Sequence, residues 1–452
     1  MPEYVPFIFG KNDVECYTRV FGDAPVVRIQ LSDVHKLDRS IPQEQWLWVD
    51  PGLDEVNNYL DAPKYVEEWK ANAFYPALNE CNWLFSRVHH TSARKNGSVR
   101  SGPAWKVTSS ALSNPDMLGV TALTKNIVRR ILALPKVAWI SVPHVGVHGS
   151  AGIRENSLNL ALGAATASAI RESSAKRSYH LIQPLILKSK TQYDTSKGRN
   201  ALVKLLKRLM DASGAAAAWV VDQSLDDWNV STKSANRIGS LVELHQKIKD
   251  EVGNIVVAAG PYWITGLLLW ARGLVSAPVV GIGSRYKYHW PCSPMGNSPT
   301  LRVAVPPLRR LVKCKPPSRA VKWLKNASTM LTGNEASGSN SVTEMLAANQ
   351  ASEASLPKDA VAFANLATQV ADGFDAGRSK YQIAQFHREW IKELEKTSAV
   401  GRPVLLFQQL TQAYALGKYL GQKKMAGPLP GEDTKLMGQP EAIAQLYMDF
   451  VL

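Results

Sequence analysis

The sequence lacks the short signatures of several large enzyme classes. It contains no Walker A loop, no Gly-x-Ser-x-Gly elbow, no protein-kinase signature and no Gly-x-Gly-x-x-Gly fingerprint in a strand–turn–helix unit. These absences argue against nucleoside triphosphatases, α/β-hydrolases, kinases and dinucleotide-dependent enzymes. The sequence therefore indicates no particular cofactor, and it leaves open whether the protein is an enzyme.

Cysteine is scarce and dispersed. The four cysteines are Cys16, Cys81, Cys292 and Cys314, and no two of them form a Cys-x-x-Cys pair. A structural zinc site needs clustered ligands, so no metal site is predicted. Dispersed thiols are typical of a reducing compartment, which predicts a cytoplasmic protein.

Long hydrophobic runs are also missing. The longest apolar run, Tyr262–Ala271, is followed directly by Arg272. It is far shorter than the roughly 20 residues that a helix needs to cross a bilayer. The first residues show no basic segment followed by an apolar one, the pattern of a secretory signal. We therefore expect no membrane span and no membrane partner.

Basic residues exceed acidic ones. The 452 residues include 53 Lys and Arg but only 38 Asp and Glu, which gives a net charge of +15. A chain with this charge attracts polyanions, so nucleic acid or a nucleotide is the first partner to expect. An acidic protein is another candidate. The alternative is a solvated surface with scattered basic side chains.

Eight short apolar runs predict the fold. They do not alternate with polar residues, as expected for parallel strands that are covered on both faces. Helical patterns separate most of them, and eight such units match a (β/α)₈ barrel of the TIM type. A doubly wound open sheet is the alternative, and the strand count favours the barrel. The runs are Tyr4–Phe9, Val26–Leu31, Trp46–Val49, Val137–Val142, Tyr179–Leu187, Ala216–Val221, Ile255–Ala259 and Pro278–Ile282.

The chain divides into three parts by composition. Residues 1–300 hold the predicted barrel, with an insertion at about 54–136 in which Trp83–Val88 could form an extra strand. Residues 301–358 form a basic connector followed by a segment rich in small and polar residues, typical of a flexible linker. Residues 359–452 carry apolar residues at helical spacing and predict a helical C-terminal region.

The barrel prediction supplies a shortlist of reactive side chains, because barrel enzymes place their active sites just after the strands. Carboxylates and imidazoles there can act as acid and base, or they can cap helices and close turns. From this shortlist we predict Lys11, Glu15, Asp50, His144 and Asp222 as catalytic residues. The full shortlist is Lys11, Asp13, Glu15, Asp33, His35, Asp50, Asp54, His144, His148, Lys188, Asp222, Asp226, Asp227, Tyr262, Arg285, Tyr286 and His289.

An aromatic and basic cluster follows the last two predicted strands. In barrels this corner often binds phosphate through backbone amides. Cations there would add charge, and aromatic rings could stack on a base or a sugar. The alternative is that the glycines form tight turns and the rings fill the rim. The predicted ligand-binding residues are Tyr262, Arg285, Tyr286, Lys287 and His289.

Two basic stretches are candidates for nucleic-acid binding. Arg87–Lys106 and residues 301–325 both contain several cations and no acidic residue. Such segments contact phosphates without reading sequence, although they can also be merely solvated. The residues predicted to bind nucleic acid are Arg94, Lys95, Arg100, Arg309, Arg310, Lys313 and Lys315.

The first residues resemble a known family. The sequence Tyr4-Val5-Pro6-Phe7-Ile8-Phe9-Gly10-Lys11, followed by Glu15, is similar to the start of the "beta family" proteins of bacteria and phages. The Gly-Pro-Tyr-Trp stretch at 260–263 and the stretch at 281–288 are compatible with it, so the likeness covers about residues 1–290 loosely. The resemblance implies Lys11 and Glu15 as site residues and a role in conflict between bacteria and phages. It implies no particular reaction.

Two functions follow from these observations. The first is a barrel that binds nucleic acid or a nucleotide, within an anti-phage defence system, and acts on a phosphodiester or glycosidic bond. The second is a non-catalytic scaffold or subunit that binds a protein partner through its C-terminal helices.

Overall fold

Eight parallel strands close into a barrel, which confirms the predicted (β/α)₈ fold. Neighbouring strands around the ring follow the order β1, β10, β9, β8, β7, β6, β3, β2. The barrel strands are β1 (Val5–Ile8), β2 (Val26–Gln30), β3 (Trp46–Asp50), β6 (Val137–Ser141), β7 (His180–Leu187), β8 (Ala217–Asp222), β9 (Val256–Ala259) and β10 (Ala277–Gly281). Each of them lies within or beside one of the eight apolar runs, because burial on both faces requires apolar residues throughout.

The computed structural model of the protein describes residues 4–8, 11–31, 45–56, 83–93, 99–173, 179–223, 225, 232–253, 255–282, 301–314, 317–332 and 356–422. Within these ranges the helices are α1 (Lys11–Phe21), α2 (Leu53–Val56), α3 (Ser109–Ser113), α4 (Met117–Leu132), α5 (Ser157–Glu172), α6 (Ser196–Ser213), α7 (Thr232–Val252), α8 (Thr265–Ala271), α9 (Pro317–Thr332), α10 (Leu356–Ala371), α11 (Ala376–Glu395) and α12 (Arg402–Gln422).

The helix α6 shows how the sequence sets a barrel helix. The Thr195 hydroxyl accepts a hydrogen bond from the Gly198 amide at 3.1 Å and so caps the first turn. Gly214 ends the helix in the left-handed conformation, at φ 63°, where a residue with a Cβ would be strained. The apolar face between them, which includes Leu202 and Leu209, is buried against the barrel.

Large side chains fill the barrel. The rings of Trp48 and Trp219 meet edge to face with 5.3 Å between their centroids, and both side chains are fully buried. Trp48 Nε1 donates a hydrogen bond to the Ser141 hydroxyl at 2.7 Å, so its polar atom is satisfied. The interior is therefore a packed core, and a ligand can reach the barrel only at its ends.

The stretch between β3 and β6 contains more than an insertion. Strands β4 (Phe85–Ala93) and β5 (Val99–Val107) pair as an antiparallel hairpin, so the apolar run at 83–88 does contribute a strand. Helices α3 and α4 follow the hairpin and lead into β6. The helix α4 packs against α5, the helix that follows β6. The helix α4 thus takes the place of the barrel helix between β3 and β6.

A second, smaller core lies beyond the barrel. Strands β11 (Arg302–Val305) and β12 (Arg310–Lys313) form a hairpin, and α9 and α10 pack on it around Trp323 and Phe363. The described part of the basic connector is therefore a hairpin and a helix. Among the described residues, no helix is long and apolar enough to span a bilayer.

Helix α11 joins this second core to the barrel. Lys380 forms an ion pair with buried Asp13 of α1 at 2.7 Å, and Arg388 pairs with Asp23 just after α1. Trp390 and Trp263 pack together with 6.3 Å between their ring centroids. The apolar face of α11 is consequently used within the chain.

Candidate active site

Three reactive side chains meet where the neighbouring strands β3, β6 and β7 end. Lys188 directly follows β7, His148 lies in the loop after β6, and Asp54 lies in α2 after β3. Lys188 Nζ is 3.4 Å from His148 Nε2 and 3.8 Å from Asp54 Oδ1. We call these three residues the Lys188 cluster. It lies on the face at which barrel enzymes carry their active sites.

The Lys188 cluster has one accessible cation above a buried carboxylate. The Lys188 side chain is 23% exposed, whereas that of Asp54 has no exposed surface. Asp54 Oδ1 accepts a hydrogen bond from the Gly146 amide. The other carboxylate oxygen, Oδ2, is buried and has no hydrogen-bond partner among the described residues. An anionic or electrophilic ligand would therefore meet Lys188 first, with Asp54 beneath it.

Two histidines beside this lysine are neutral at physiological pH. Burial, together with the nearby charge of Lys188, lowers the pKa of His148 to about 4. Burial also lowers the pKa of His144 to about 3, with Lys188 and His148 contributing. A neutral His148 has a nitrogen lone pair that can accept a hydrogen bond from the Lys188 amine.

Buried amide side chains fix the loop that carries both histidines. Asn159 Oδ1 accepts from the Val145 amide at 3.0 Å, and its Nδ2 donates to the Val145 carbonyl at 2.9 Å. Asn156 Oδ1 accepts from the His148 amide at 3.2 Å, and its Nδ2 donates to the Gly152 carbonyl at 2.8 Å. Both asparagines are fully buried, so the loop backbone is satisfied by α5 and by the turn before it.

Gln192 ties the same loop to the end of β7. Its Nε2 donates to the Val147 carbonyl at 2.8 Å, and its Oε1 accepts from the Lys188 amide at 2.9 Å. The backbones that carry His148 and Lys188 are therefore held by one side chain. Such support is what keeps catalytic groups in a fixed geometry.

Gly146 makes room for the Lys188 side chain. A Cβ atom at this position would lie 2.3 Å from Lys188 Cε and 3.0 Å from Asp54 Oδ1. The lysine could not keep its position beside a larger residue. Glycine is thus required here by close packing against the cluster.

A second group of side chains lies at the ends of β7, β8 and β9. Asp222 accepts a hydrogen bond from the Tyr193 hydroxyl and forms a two-contact ion pair with Arg237 of α7, each contact 2.5 Å long. The Tyr262 hydroxyl accepts from the Asp222 amide at 2.5 Å. Burial and Asp222 raise the pKa of Tyr193. We call these four residues the Asp222 cluster.

Asp50 is engaged inside the barrel. It forms a buried ion pair with Arg28 of β2, and one carboxylate oxygen also accepts from the Gly52 amide at 3.1 Å. The Arg28 guanidinium stacks 3.7 Å above the Phe7 ring. The predicted catalytic residues Asp50 and Asp222 lie three strands apart in the ring, each with its own arginine. This arrangement balances buried charge and is typical of structural ion pairs.

The remaining predicted catalytic residues are placed differently. Lys11 begins α1, and Glu15 lies on its exposed side in an ion pair with Arg19 at 2.8 Å. His144 lies in the loop near Lys188, but it is buried, and neither ring nitrogen has a hydrogen-bond partner among the described residues. The structure thus brings His144 close to the Lys188 cluster and leaves Glu15 on the surface of a helix.

Of the predicted ligand-binding residues, Tyr262 is described and is buried in the Asp222 cluster. The others lie outside the described residues: Arg285, Tyr286, Lys287 and His289. Asp33, His35, Asp226 and Asp227 of the shortlist also lie outside them.

The predicted nucleic-acid-binding residues fall into three groups. Arg94, Lys95 and Lys315 lie outside the described residues. Arg100 is in β5 and Lys313 ends β12. The structure describes the side chains of the remaining two residues, Arg309 and Arg310.

Arg309 is largely enclosed. Its guanidinium pairs with Glu393 at 3.1 Å and lies 5.1 Å from the centre of the Trp390 ring, with the side chain 18% exposed. Burial lowers the pKa of Arg309, and Glu393 partly offsets this effect. Arg310, the next residue, is partly exposed. Arg309 therefore contributes to the contact between the second core and α11.

Sequence reasoning placed Asp54, His148 and Lys188 on its shortlist without selecting them, and it missed the residues that support them. The supporting residues are Asn156, Asn159 and Gln192. They are polar residues in apolar or loop segments, and it is their burial in the structure that distinguishes them. Nothing in the sequence shows which buried amide contacts which loop. Over the described ranges, no three His, Cys, Asp or Glu side chains lie close enough together to hold a metal ion.

The fold and the position of these side chains define a (β/α)₈-barrel protein with a polar cluster at the carboxyl ends of its strands. Comparison with known proteins adds no closer identification: no family model, no curated protein and no solved structure matches the chain.

Proposed function

We propose that this protein is a cytoplasmic barrel enzyme that binds nucleic acid or a nucleotide at the carboxyl ends of its strands. The proposed reaction is hydrolysis or transfer at a phosphodiester or glycosidic bond. The observation that carries the proposal is the Lys188 cluster, in which one accessible amine lies between a neutral imidazole and a buried carboxylate. Participation in anti-phage defence belongs to the same proposal and rests on the resemblance of the first residues alone.

Charge supports this choice of substrate. The chain carries a net charge of +15, so polyanions are drawn to it over distances up to about a Debye length. At the site, Lys188 can donate hydrogen bonds to a phosphate oxygen, and an ammonium donor is well suited to that contact. Asp54 and His148 then orient the amine from two sides.

Binding of a fluorescent single-stranded oligonucleotide, followed by anisotropy at several salt concentrations, tests the proposal. Lys188→Met should weaken binding about tenfold and reduce the salt slope by about one, as expected for one lost phosphate contact. Lys190→Met is the matched control, because Lys190 is exposed only two residues away. Equal affinities of the wild type and Lys188→Met would contradict the proposed site.

Catalysis is tested in the same series. Oligonucleotides and nucleotides incubated with the protein are analysed by chromatography for a released base or a cleaved backbone. We expect product with the wild type and with Lys190→Met, and at least a hundredfold less with Lys188→Met. Product formation that is unchanged in Lys188→Met would place the reaction elsewhere in the molecule.

One observation supports the scaffold alternative. Val400 in the turn between α11 and α12 is 88% exposed and Val404 in the first turn of α12 is 52% exposed, although most described apolar side chains of these helices are buried. Exposed apolar residues of this kind occur at protein contacts. If a partner binds here, affinity capture with the wild type should retain a protein that is lost with the Val400→Asp/Val404→Asp variant.

A further inference from the structure

We infer that Lys188 is a covalent nucleophile that forms an imine with the anomeric carbon, C1′, of a nucleoside sugar. The inference rests on the proposed function and selects the glycosidic bond as its target. It assigns a chemical role to an amine that could otherwise serve only as a point charge.

The surroundings of Lys188 supply a proton acceptor and an opening for a substrate. An enzymatic nucleophile needs a proton acceptor within reach, held in place by a third group. His148 Nε2 lies 3.4 Å from Nζ, and Asn156 and Gln192 hold the His148 loop from both sides. The amine is partly exposed, so an incoming carbon atom can reach it.

Asp54 suits the charge that develops in such a reaction. Its carboxylate lies 3.8 Å from Nζ, and its Oδ2 atom has no hydrogen-bond partner among the described residues. An iminium places a positive charge on the Nζ atom, and a glycosidic transition state places one on the sugar. A fixed carboxylate at this distance stabilises both.

In the proposed reaction C1′ loses its bond to the base first and its bond to O4′ second. In its unprotonated form, Nζ attacks C1′ while the C1′–N glycosidic bond breaks, and the base leaves with the electron pair and takes a proton from water. The attacking nitrogen gives one proton to His148 Nε2. The C1′–O4′ bond then breaks, O4′ takes that proton back from His148, and the nitrogen lone pair forms the C1′=Nζ iminium. The hydroxide left when the base took its proton adds to C1′, its hydrogen passes to the nitrogen, and the C1′–Nζ bond breaks, which leaves a free base, an open sugar aldehyde and unchanged Lys188.

Reductive trapping tests the inference directly. The full chain is incubated with 2-deoxyribose 5-phosphate and cyanoborohydride. The open aldehyde form of this sugar condenses with an amine, and no glycosidic bond has to be cleaved first. Peptide mass spectrometry should find the reduced sugar on Lys188, with at least tenfold less total adduct in Lys188→Met than in Lys190→Met. Circular dichroism of each variant verifies that it is folded.

The role of His148 gives a second readout. Among the contacts that the described residues make, the charged and titratable groups near the Lys188 amine are Asp54, His148 and His144. Without His148, the proton that the attacking nitrogen releases must pass to hydroxide instead. Adduct formation in His148→Ala should therefore fall at least tenfold at neutral pH and recover as the pH is raised towards 9. A pH profile identical to that of the wild type would overturn the proposed role of His148.

The outcomes separate this inference from the proposed function. Adduct spread evenly over exposed lysines, or equal amounts in the wild type and Lys188→Met, would overturn covalent catalysis by Lys188. If Lys188→Met nevertheless loses oligonucleotide binding, the proposed binding site stands and only its chemistry is wrong. A selective adduct on Lys188 without any nucleotide binding would support the reactive amine and contradict the choice of substrate.

Discussion

The side chain of Asn159 forms two hydrogen bonds with the backbone of one residue, Val145, accepting from its amide and donating to its carbonyl. This pairing resembles one step of a β-ladder, except that a side chain replaces the second strand. The two hydrogen bonds hold the backbone that follows β6, in the loop that carries His144 and His148. Helix α5, which contains Asn159, therefore directly supports the candidate site.

Replacement of Asn159 should destabilise the protein. Asn159→Ala leaves both polar groups of Val145 buried without partners, at a cost of about 1–3 kcal/mol each. We expect the free energy of unfolding, measured by urea titration, to fall by about 3 kcal/mol. Asn200→Ala serves as the control, because Asn200 is exposed on α6 and should change stability by less than about 0.5 kcal/mol. A loss in the Asn159 variant no larger than in this control would contradict the assigned role.

The fold could be predicted from the sequence because barrel strands carry a strong local signal. A strand such as β8 is buried at every position, and its residues before Asp222 form an uninterrupted apolar run. Eight such runs with helices between them leave few architectures to choose from. The pairing of β1 with β10 closes the ring. It could be expected from the number of strands, but no single residue indicates it.

The site was predictable only in part, because pairing between distant residues has no local signal. The position of Asp50 at the end of β3 suggested catalysis, yet its charge is balanced by Arg28, 22 residues earlier in the interior of β2. Asp222 is likewise paired with Arg237 of α7. Position after a strand placed the shortlist at the carboxyl ends of the strands, but it could not distinguish carboxylates bound by arginine from Asp54, whose Oδ2 has no hydrogen-bond partner among the described residues.

The Arg28–Asp50 ion pair makes a specific prediction about stability. Asp50→Ala removes the carboxylate that balances a fully buried guanidinium, and the loss of one partner of a buried pair costs about 3–5 kcal/mol. We expect the variant to show this decrease in thermal or urea unfolding. Glu15→Ala, which removes an exposed carboxylate of the surface pair with Arg19, should change stability by at most about 1 kcal/mol. Similar small effects of both substitutions would show that the Arg28 charge is balanced in another way.

The buried histidines predict that the protein loses stability in acid. The pKa of His144 is about 3 in the folded protein and about 6.5 in an unfolded chain, so the unfolded state binds more protons between these values. The stabilising effect is complete above pH 6.5 and is lost as the pH falls through this window. At pH 5 the loss from His144 alone is about 2 kcal/mol, since each pH unit corresponds to about 1.4 kcal/mol.

Urea unfolding at pH 7 and pH 5 measures this effect. His144→Leu removes the titrating group, and the neutral ring it replaces makes no hydrogen bond to the described residues. The decrease in stability between the two pH values should therefore be about 2 kcal/mol smaller in His144→Leu than in the wild type. His180→Asn removes an exposed histidine and should leave the decrease unchanged. An unaltered pH dependence in His144→Leu would mean that His144 is protonated in the folded state.

Gly146 gives the most direct test of the geometry around Lys188. In Gly146→Ala the new methyl group would lie 2.3 Å from Lys188 Cε, so the lysine side chain has to move away from His148 and Asp54. Because the Lys188 stem is flexible and partly exposed, the fold should survive this shift. We expect oligonucleotide binding and reductive trapping to fall at least tenfold, with the free energy of unfolding lowered by less than about 2 kcal/mol.

The control for this substitution lies in the same loop. A methyl group at Gly152 would come no closer than 3.5 Å to its nearest neighbour, an ordinary contact with Glu155, so Gly152→Ala should retain both binding and trapping. The two variants add the same atoms six residues apart and differ in whether Lys188 is displaced. If Gly146→Ala behaves like Gly152→Ala, the position of the amine beside His148 is not what the site depends on, and Lys188 would act only through its charge.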